Sequence, residues 1–220
     1  MKKTKTQPGA VCAAATLVFL GALSAKAASI TYQVNFDTSS VSGTAGFLDF
    51  QFNPGNNTSF AATAQINGFS PDGGSLSGAP SISGDVTGTL PGTVTFVNDT
   101  ALNELFQGFN FGSSFSFQLM LSGAGIGAPN VGATAGSIFG IGIYDNGQNP
   151  VLTDQGATTG FAAEVFLNTD GTVSTTSFPA APGAGSSAAS FSPVLVPEPG
   201  TIGLLGVGLA GVVLLIRRPA

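Results

Sequence analysis

Several kinds of side chain are missing or rare in this sequence of 220 residues. It has no histidine, no tryptophan and a single cysteine, Cys12. Its six cationic side chains all lie in two short segments, at Lys2, Lys3, Lys5, Lys26, Arg217 and Arg218. Residues 28–216 therefore carry eleven carboxylates and no cation. Because such a chain cannot neutralise phosphates, the composition excludes nucleic-acid binding.

The same absences exclude most catalytic chemistry. Without histidine or a thiol in residues 28–216, there is no Ser-His-Asp triad, no Cys-His pair and no His-ligated zinc site. Without lysine there is no Schiff base in that region. Paired carboxylates are the only catalytic arrangement that remains. The sequence therefore predicts a non-enzymatic protein with no cofactor and no metal site.

Residues 1–27 have the pattern of a secretory signal peptide. Three lysines precede an apolar stretch over residues 10–23, which is too short and too alanine-rich for a typical transmembrane helix. Ala25 and Ala27 form an A-x-A cleavage pattern, so the mature chain is expected to begin at Ala28. Cys12 lies inside the apolar stretch, and the mature protein is therefore expected to have no thiol.

A second targeting pattern covers residues 196–220. Pro197, Glu198 and Pro199 precede an uncharged run over residues 201–216, of which ten are Ile, Leu or Val. As a helix this run would be about 24 Å long, somewhat short of a ~30 Å hydrocarbon core. Arg217 and Arg218 follow, and the positive-inside rule places them on the cytoplasmic side. We predict a short transmembrane helix over residues 201–216, with the preceding chain outside.

This order of Pro-Glu-Pro, a glycine-rich apolar run and basic residues resembles the PEP-CTERM sorting signal of bacteria. The resemblance implies processing by an exosortase-type transpeptidase, with Pro197, Glu198, Pro199, Arg217 and Arg218 as the sorting residues. It also implies export, transient anchoring in the inner membrane, and then release to the cell surface or extracellular matrix, where exopolysaccharide is a further expected partner. The basic cluster is shorter than usual for the family. An ordinary single-pass anchor is the alternative.

Between the two signals, residues 28–178 read as one all-β domain. Apolar and polar side chains alternate over residues 30–37, 47–52 and 114–121, and about eight short strands are separated by turn residues. This pattern predicts an antiparallel β-sandwich of jelly-roll type, with a single-sheet barrel as the alternative. Residues 70–83 are predicted as a loop, and residues 99–106 as either a helical turn or a strand.

Residues 179–195 are rich in Pro, Ala, Gly and Ser, and we predict a stalk, although residues 187–196 could instead supply an edge strand. The stretch FDTSSVSGTAGFLDFQFNPG, residues 36–55, resembles the opening of an uncharacterised group of PEP-CTERM ectodomains. That resemblance implies no known activity.

Three carboxylates, Asp49, Glu104 and Glu164, lie on predicted strands. Two of them could serve as the pair of a glycan hydrolase, but each falls on the polar phase of its strand and is expected to face solvent. Loop oxygens suited to calcium occur at residues 145–149 and 170–171, and at Asp72 and Asp154, although these residue types also form turns. We therefore expect a structural or interaction module of the envelope, with a calcium-dependent carbohydrate binder or a carboxylate-only hydrolase as alternatives.

Overall fold

The computed structural model describes residues 29–127, 131–155 and 158–195. Within these ranges the chain forms twelve strands and one short 3-10 turn, Ser39–Val41. The strands are β1 (Ser29–Asp37), β2 (Ala45–Pro54), β3 (Ala62–Asp72), β4 (Ser75–Ser83), β5 (Val86–Gly88), β6 (Val94–Val97), β7 (Glu104–Asn110), β8 (Ser114–Gly123), β9 (Ser137–Asp145), β10 (Phe161–Leu167), β11 (Val173–Ser177) and β12 (Ala189–Val194).

The strands form two six-stranded antiparallel sheets. Sheet A has the order β12-β1-β8-β3-β6-β5, and sheet B has the order β11-β10-β9-β2-β7-β4. The pairs β1–β8, β2–β7 and β3–β6 are those of an antiparallel ribbon rolled into a jelly roll. Strands β9 to β11 widen sheet B, and β12 widens sheet A. The predicted antiparallel β-sandwich is confirmed.

Phenylalanine fills the space between the sheets. In β8 the inward residues Phe115, Phe117, Leu119 and Leu121 are at most 1% exposed, as the alternation predicts. Phe117 contacts Phe50 of sheet B edge to face, with ring centroids 5.5 Å apart. Eight phenylalanines are fully buried in this way, at Phe36, Phe50, Phe52, Phe96, Phe109, Phe115, Phe117 and Phe139. A core of this kind needs neither metal nor disulfide to exclude water.

In the middle of the chain, the structure corrects one sequence prediction and decides between the two alternatives of another. Residues 70–83 are not a loop: β3 extends to Asp72, and β4 forms the edge of sheet B. For residues 99–106 the strand alternative is the correct one, because β7 begins at Glu104 after a turn. Asn103, fully buried, anchors this turn by donating to Phe52 O at 3.0 Å and accepting from Asp85 N at 2.9 Å.

The residues before the sorting motif belong partly to the sandwich. Ala189–Val194 pairs with β1 in a register that joins Thr31 to Val194 and Phe36 to Ala189. The stalk prediction for residues 179–195 is therefore wrong for β12, and the edge-strand alternative holds there. A small hairpin closed by the Pro179–Ser187 bridge connects β11 to β12.

The described ranges contain no helix with the length and apolar character that a bilayer crossing requires. The predicted signal peptide, its cleavage residues, the predicted transmembrane run and the sorting residues lie outside the described residues.

Candidate functional site

A row of polar side chains runs along β2 on the outer face of sheet B. Asp49, Gln51 and Asn53 alternate with the buried Leu48, Phe50 and Phe52, so all three project away from the core. Gln51 lies opposite Glu104 of β7 in the register. The Gln51 Nε2 donates both to Asp49 Oδ2 at 2.8 Å and to Glu104 Oε1 at 3.1 Å. One amide therefore holds two carboxylates together, and we call Asp49, Gln51 and Glu104 the carboxylate cluster.

The direction of the Gln51 amide is fixed from the backbone. The Asn103 N–H donates to Asn53 Oδ1 at 2.8 Å, which leaves Asn53 Nδ2 to donate to Gln51 Oε1 at 2.9 Å. The Gln51 NH₂ group must then face the two carboxylates. Turning this amide over would break the whole chain of hydrogen bonds. The cluster is thus preorganised by the turn before β7.

Aromatic rings surround the carboxylate cluster. A β-carbon added at Gly142 would lie 2.6 Å from the Tyr144 ring, and one added at Gly140 would lie 2.5 Å from the Phe161 ring. The two glycines of β9 therefore leave room for these rings to lie over the strand. Phe106, opposite Asp49 in the register, stacks on Phe47 with centroids 4.7 Å apart and lies 5.9 Å from Tyr144. We call the half-buried rings Phe47, Phe106 and Tyr144 the aromatic platform.

Burial changes the acid–base properties of this face. Asp49 is only 3% exposed, and its Oδ1 has no hydrogen-bond partner among the described residues. Desolvation raises the pKa of Asp49 to about 7; the hydrogen bond from Gln51 opposes this, and the charge of Glu104 adds to it. Burial, with the charges of Asp49 and Glu104, also raises the pKa of Tyr144 to about 12. A buried acceptor of this kind needs an explanation.

The structure brings together two of the three predicted carboxylates. Asp49 and Glu104 share Gln51, whereas Glu164 of β10 lies opposite Gly140, on the far side of β9. Glu164 is 6% exposed, and desolvation raises its pKa. The prediction that all three face solvent is wrong for Asp49 and Glu164, which are only 3% and 6% exposed. The Tyr144 ring lies over Gly142, opposite Asp49 in the register. Glu104 is half-buried.

The candidate calcium loops are built as turns. Asp145 Oδ1 accepts from the N–H groups of Gly147 and Asn149 at 2.8 and 2.9 Å, and these bonds lower the pKa of Asp145. Asp170 accepts from the N–H and hydroxyl of Thr172. Asp72 accepts from the Ser113 hydroxyl. In the part of the chain that the structure describes, no three acidic, histidine or cysteine side chains converge as metal ligands.

A shallow cavity of about 330 Å³ lies at one end of sheet B, away from the carboxylate cluster. Small, hydroxyl and apolar residues line it, among them Gly55, Thr134, Ser137, Leu167 and Asn168. No titratable side chain lines it. The cavity could accommodate a small group, but it has no charged side chain that would orient a ligand.

Sequence reasoning missed the aromatic platform and the function of Gln51. The alternation of β2 places Gln51 and Asp49 on its outward face, but nothing in β2 alone shows that one amide would join carboxylates of two strands. The visible signal was the pair Gly140 and Gly142, where a strand without side chains on one face indicates that something else occupies the space.

Comparison with known proteins identifies the C-terminal segment. The sequence model described as the PEP-CTERM protein-sorting motif matches residues 195–218. Comparison with curated proteins and with solved structures found no match. The chain carries the PEP-CTERM sorting motif, which indicates an exported protein that an exosortase processes at the membrane.

Proposed function

We propose that this exported protein is a component of the cell surface or extracellular matrix, and that its sandwich is a non-enzymatic interaction module of the exopolysaccharide layer. The sorting motif supports the export route. The outer face of sheet B supports an interaction function, because it combines half-buried rings with a polar cluster fixed from the backbone. Preorganised surfaces bind at lower entropic cost than surfaces that must first be ordered.

The observation that carries this proposal is the burial of Asp49. A catalytic carboxylate must reach the bond that it cleaves. Asp49, however, is only 3% exposed, and its Oδ2 accepts a hydrogen bond from Gln51. The cluster is therefore better suited to shape and polarise a binding face than to transfer protons to a substrate.

The proposal predicts where the processed protein goes. In the host, the wild-type protein should be found with the exopolysaccharide-containing fraction and should be released when that polymer is digested. The same fractionation should be repeated with calcium and with a chelator, which tests the calcium-dependent alternative. Wild-type protein that stays in the inner membrane, or that is freely soluble whether or not the polymer is present, would contradict the proposal.

One geometric observation favours a second candidate, a glycan hydrolase. Because one nitrogen lies 2.8 Å from Asp49 Oδ2 and 3.1 Å from Glu104 Oε1, these oxygens are no more than about 5.9 Å apart, within reach of the ~5–5.5 Å carboxyl separation in retaining glycosidases. The raised pKa of Asp49 would suit a general acid. New reducing ends on incubation with host exopolysaccharide, lost in Glu104→Gln, would favour this candidate. Polymer binding without product would favour the interaction module.

A further inference from the structure

From the geometry of sheet B we infer that the aromatic platform and Glu104 form a binding site for one sugar residue of a non-acidic glycan. This inference rests on the proposed function, because it names the class of partner and the face that receives it. The site has two parts, an apolar surface of three rings and the Glu104 carboxylate as a hydrogen-bond acceptor. The two parts are independent of each other and lie on neighbouring strands.

The apolar part is a set of aromatic rings that the fold does not cover completely. Phe47, Phe106 and Tyr144 project from three adjacent strands, β2, β7 and β9, and all three remain half-buried. They lie on the side of sheet B that faces away from the core, where polar side chains are usual in a sandwich. A pyranose has an apolar C–H face of similar dimensions. Burying such rings under a ligand would remove apolar area from water.

The polar part that a ligand can reach is a hydrogen-bond acceptor, the Glu104 carboxylate. The Gln51 NH₂ group has two protons, and both are directed to Asp49 and Glu104. Asp49 is only 3% exposed and out of reach of a ligand, whereas Glu104 is half-buried, and a carboxylate there accepts hydrogen bonds. A ligand that fits here must therefore bring hydrogen-bond donors. Hydroxyl groups that flank an apolar ring face supply them, and sugars present this combination.

Charge restricts the class of sugar. The described residues contain ten carboxylates, at Asp37, Asp49, Asp72, Asp85, Asp99, Glu104, Asp145, Asp154, Glu164 and Asp170, and no cationic side chain. A uronic acid or sulfated sugar over Glu104 would meet a like charge with no cation to offset it. The site therefore discriminates against acidic glycans.

Affinity electrophoresis of the exported, processed protein tests this site. Native gels would contain dextran, amylose, hydroxyethyl cellulose, galactomannan, xylan, the host's own exopolysaccharide, or alginate as the acidic probe. We expect retardation by at least one neutral polymer and none by alginate. Phe106→Leu, which keeps an apolar side chain but removes the ring, and Glu104→Gln should each weaken retardation about tenfold or more. Gln118→Ala, exposed on the outer face of sheet A, is the matched control and should behave as wild type.

The outcomes separate the site from the function. If the wild type and both variants are retarded equally by a neutral polymer, the sugar is bound elsewhere and the inference is overturned, while the proposed function stands. Retardation by alginate alone, or by none of the neutral polymers, also overturns the inference. If the host exopolysaccharide fails to retard the wild type, the proposed function itself fails. Thermal melts of the variants that match the wild type exclude misfolding as the cause of a loss.

Discussion

Stability should fall as pH rises from about 4 to about 7, because Asp49 is buried where it is costly to ionise. Its pKa is raised from 3.8 to about 7 in the folded protein, chiefly by desolvation. The folded state therefore holds a proton that the unfolded state releases near pH 4. Where the folded state binds more protons, the free energy of unfolding decreases with pH. The full contribution of Asp49 is present below about pH 4 and is lost progressively as pH rises to about 7. Folded proteins whose carboxylates are paired with cations behave in the opposite way.

The size of the effect follows from the same two values. A difference between 3.8 and about 7 corresponds to roughly 4 kcal/mol at ~1.36 kcal/mol for each tenfold change. Typical domains have a total stability of about 5–15 kcal/mol, so the loss would be easy to measure. Asp49→Asn removes the ionisation but keeps the size and polarity of the side chain. The variant should therefore be more stable than the wild type at pH 8, and the difference should shrink as pH falls below 7 and vanish only below about pH 4.

Urea unfolding of the wild type and the variants, at intervals of half a pH unit from pH 5 to pH 8, would measure how the free energy of unfolding depends on pH. The control is Asp145→Asn: the pKa of Asp145 is lowered, so its contribution disappears only as pH falls below about 3.8, outside the range tested. Glu164→Gln is needed as well, since burial raises the pKa of Glu164 and adds a slope of the same sign. If Asp49→Asn keeps the pH dependence of the wild type while Glu164→Gln removes it, the reasoning about Asp49 is refuted.

Two further predictions concern the sandwich. Phe117→Ala should destabilise the protein by about 3–5 kcal/mol, the usual cost of truncating a buried Phe, because the side chain is fully buried against Phe50. The exposed neighbour Gln118 is the control, and Gln118→Ala should leave the free energy of unfolding nearly unchanged in the same urea titration. Equal losses would mean that the inward and outward faces of β8 are misassigned. A chain covering residues 28–195 should fold with a cooperative melt in EDTA. A chain that ends at residue 178 lacks β12 and should be less stable by about 1–6 kcal/mol, because each of the six β1–β12 residue pairs contributes roughly 0.2–1 kcal/mol. Identical melting curves for the two chains would show that β12 does not contribute to stability.

The fold class could be predicted because the core repeats one simple pattern. Phe115, Phe117, Leu119 and Leu121 alternate with polar residues, and a period of two is specific to strands. The same argument failed for β4, Ser75–Ser83, which has no alternation. This edge strand is bulged between Ser77 and Ser81, and the buried Gln107 donates to Ser77 O and Gly78 O where the ladder is interrupted. A strand held by a side chain 29 residues away gives no local signal.

The site was harder to predict than the fold, for a related reason. The phase of β2 places Asp49 on the outer face, and that assignment is correct. Its burial depends on Phe106 and on Tyr144, which lie 57 and 95 residues further along the chain and reach Asp49 only through the register of sheet B. Periodicity shows the face on which a side chain lies, but long-range pairing determines what covers it.

The position of β12 gives the sorting motif a physical setting. β12 ends at Val194, and only Leu195 and Val196 precede Pro197 in the sequence. Two prolines that lack N–H donors cannot extend the sheet ladder beyond this point. We therefore expect Pro197-Glu198-Pro199 to stay extended and accessible to a processing enzyme.

Replacing Pro197, Glu198 and Pro199 with alanine should therefore block processing. In the native host, the wild type should lose its C-terminal tail, while the triple variant should remain in the inner membrane and migrate more slowly by the mass of that tail. A double substitution of the exposed Ser190 and Ser192 by alanine, in β12, is the matched control and should be processed normally. Cell fractionation combined with mass spectrometry of the C-terminal peptide would distinguish these species. An anchor without a sorting function would be indifferent to the triple substitution, since the apolar run and both arginines are unchanged. If wild type and triple variant keep the same intact C-terminus and fractionate together, the motif acts in this chain only as part of an anchor.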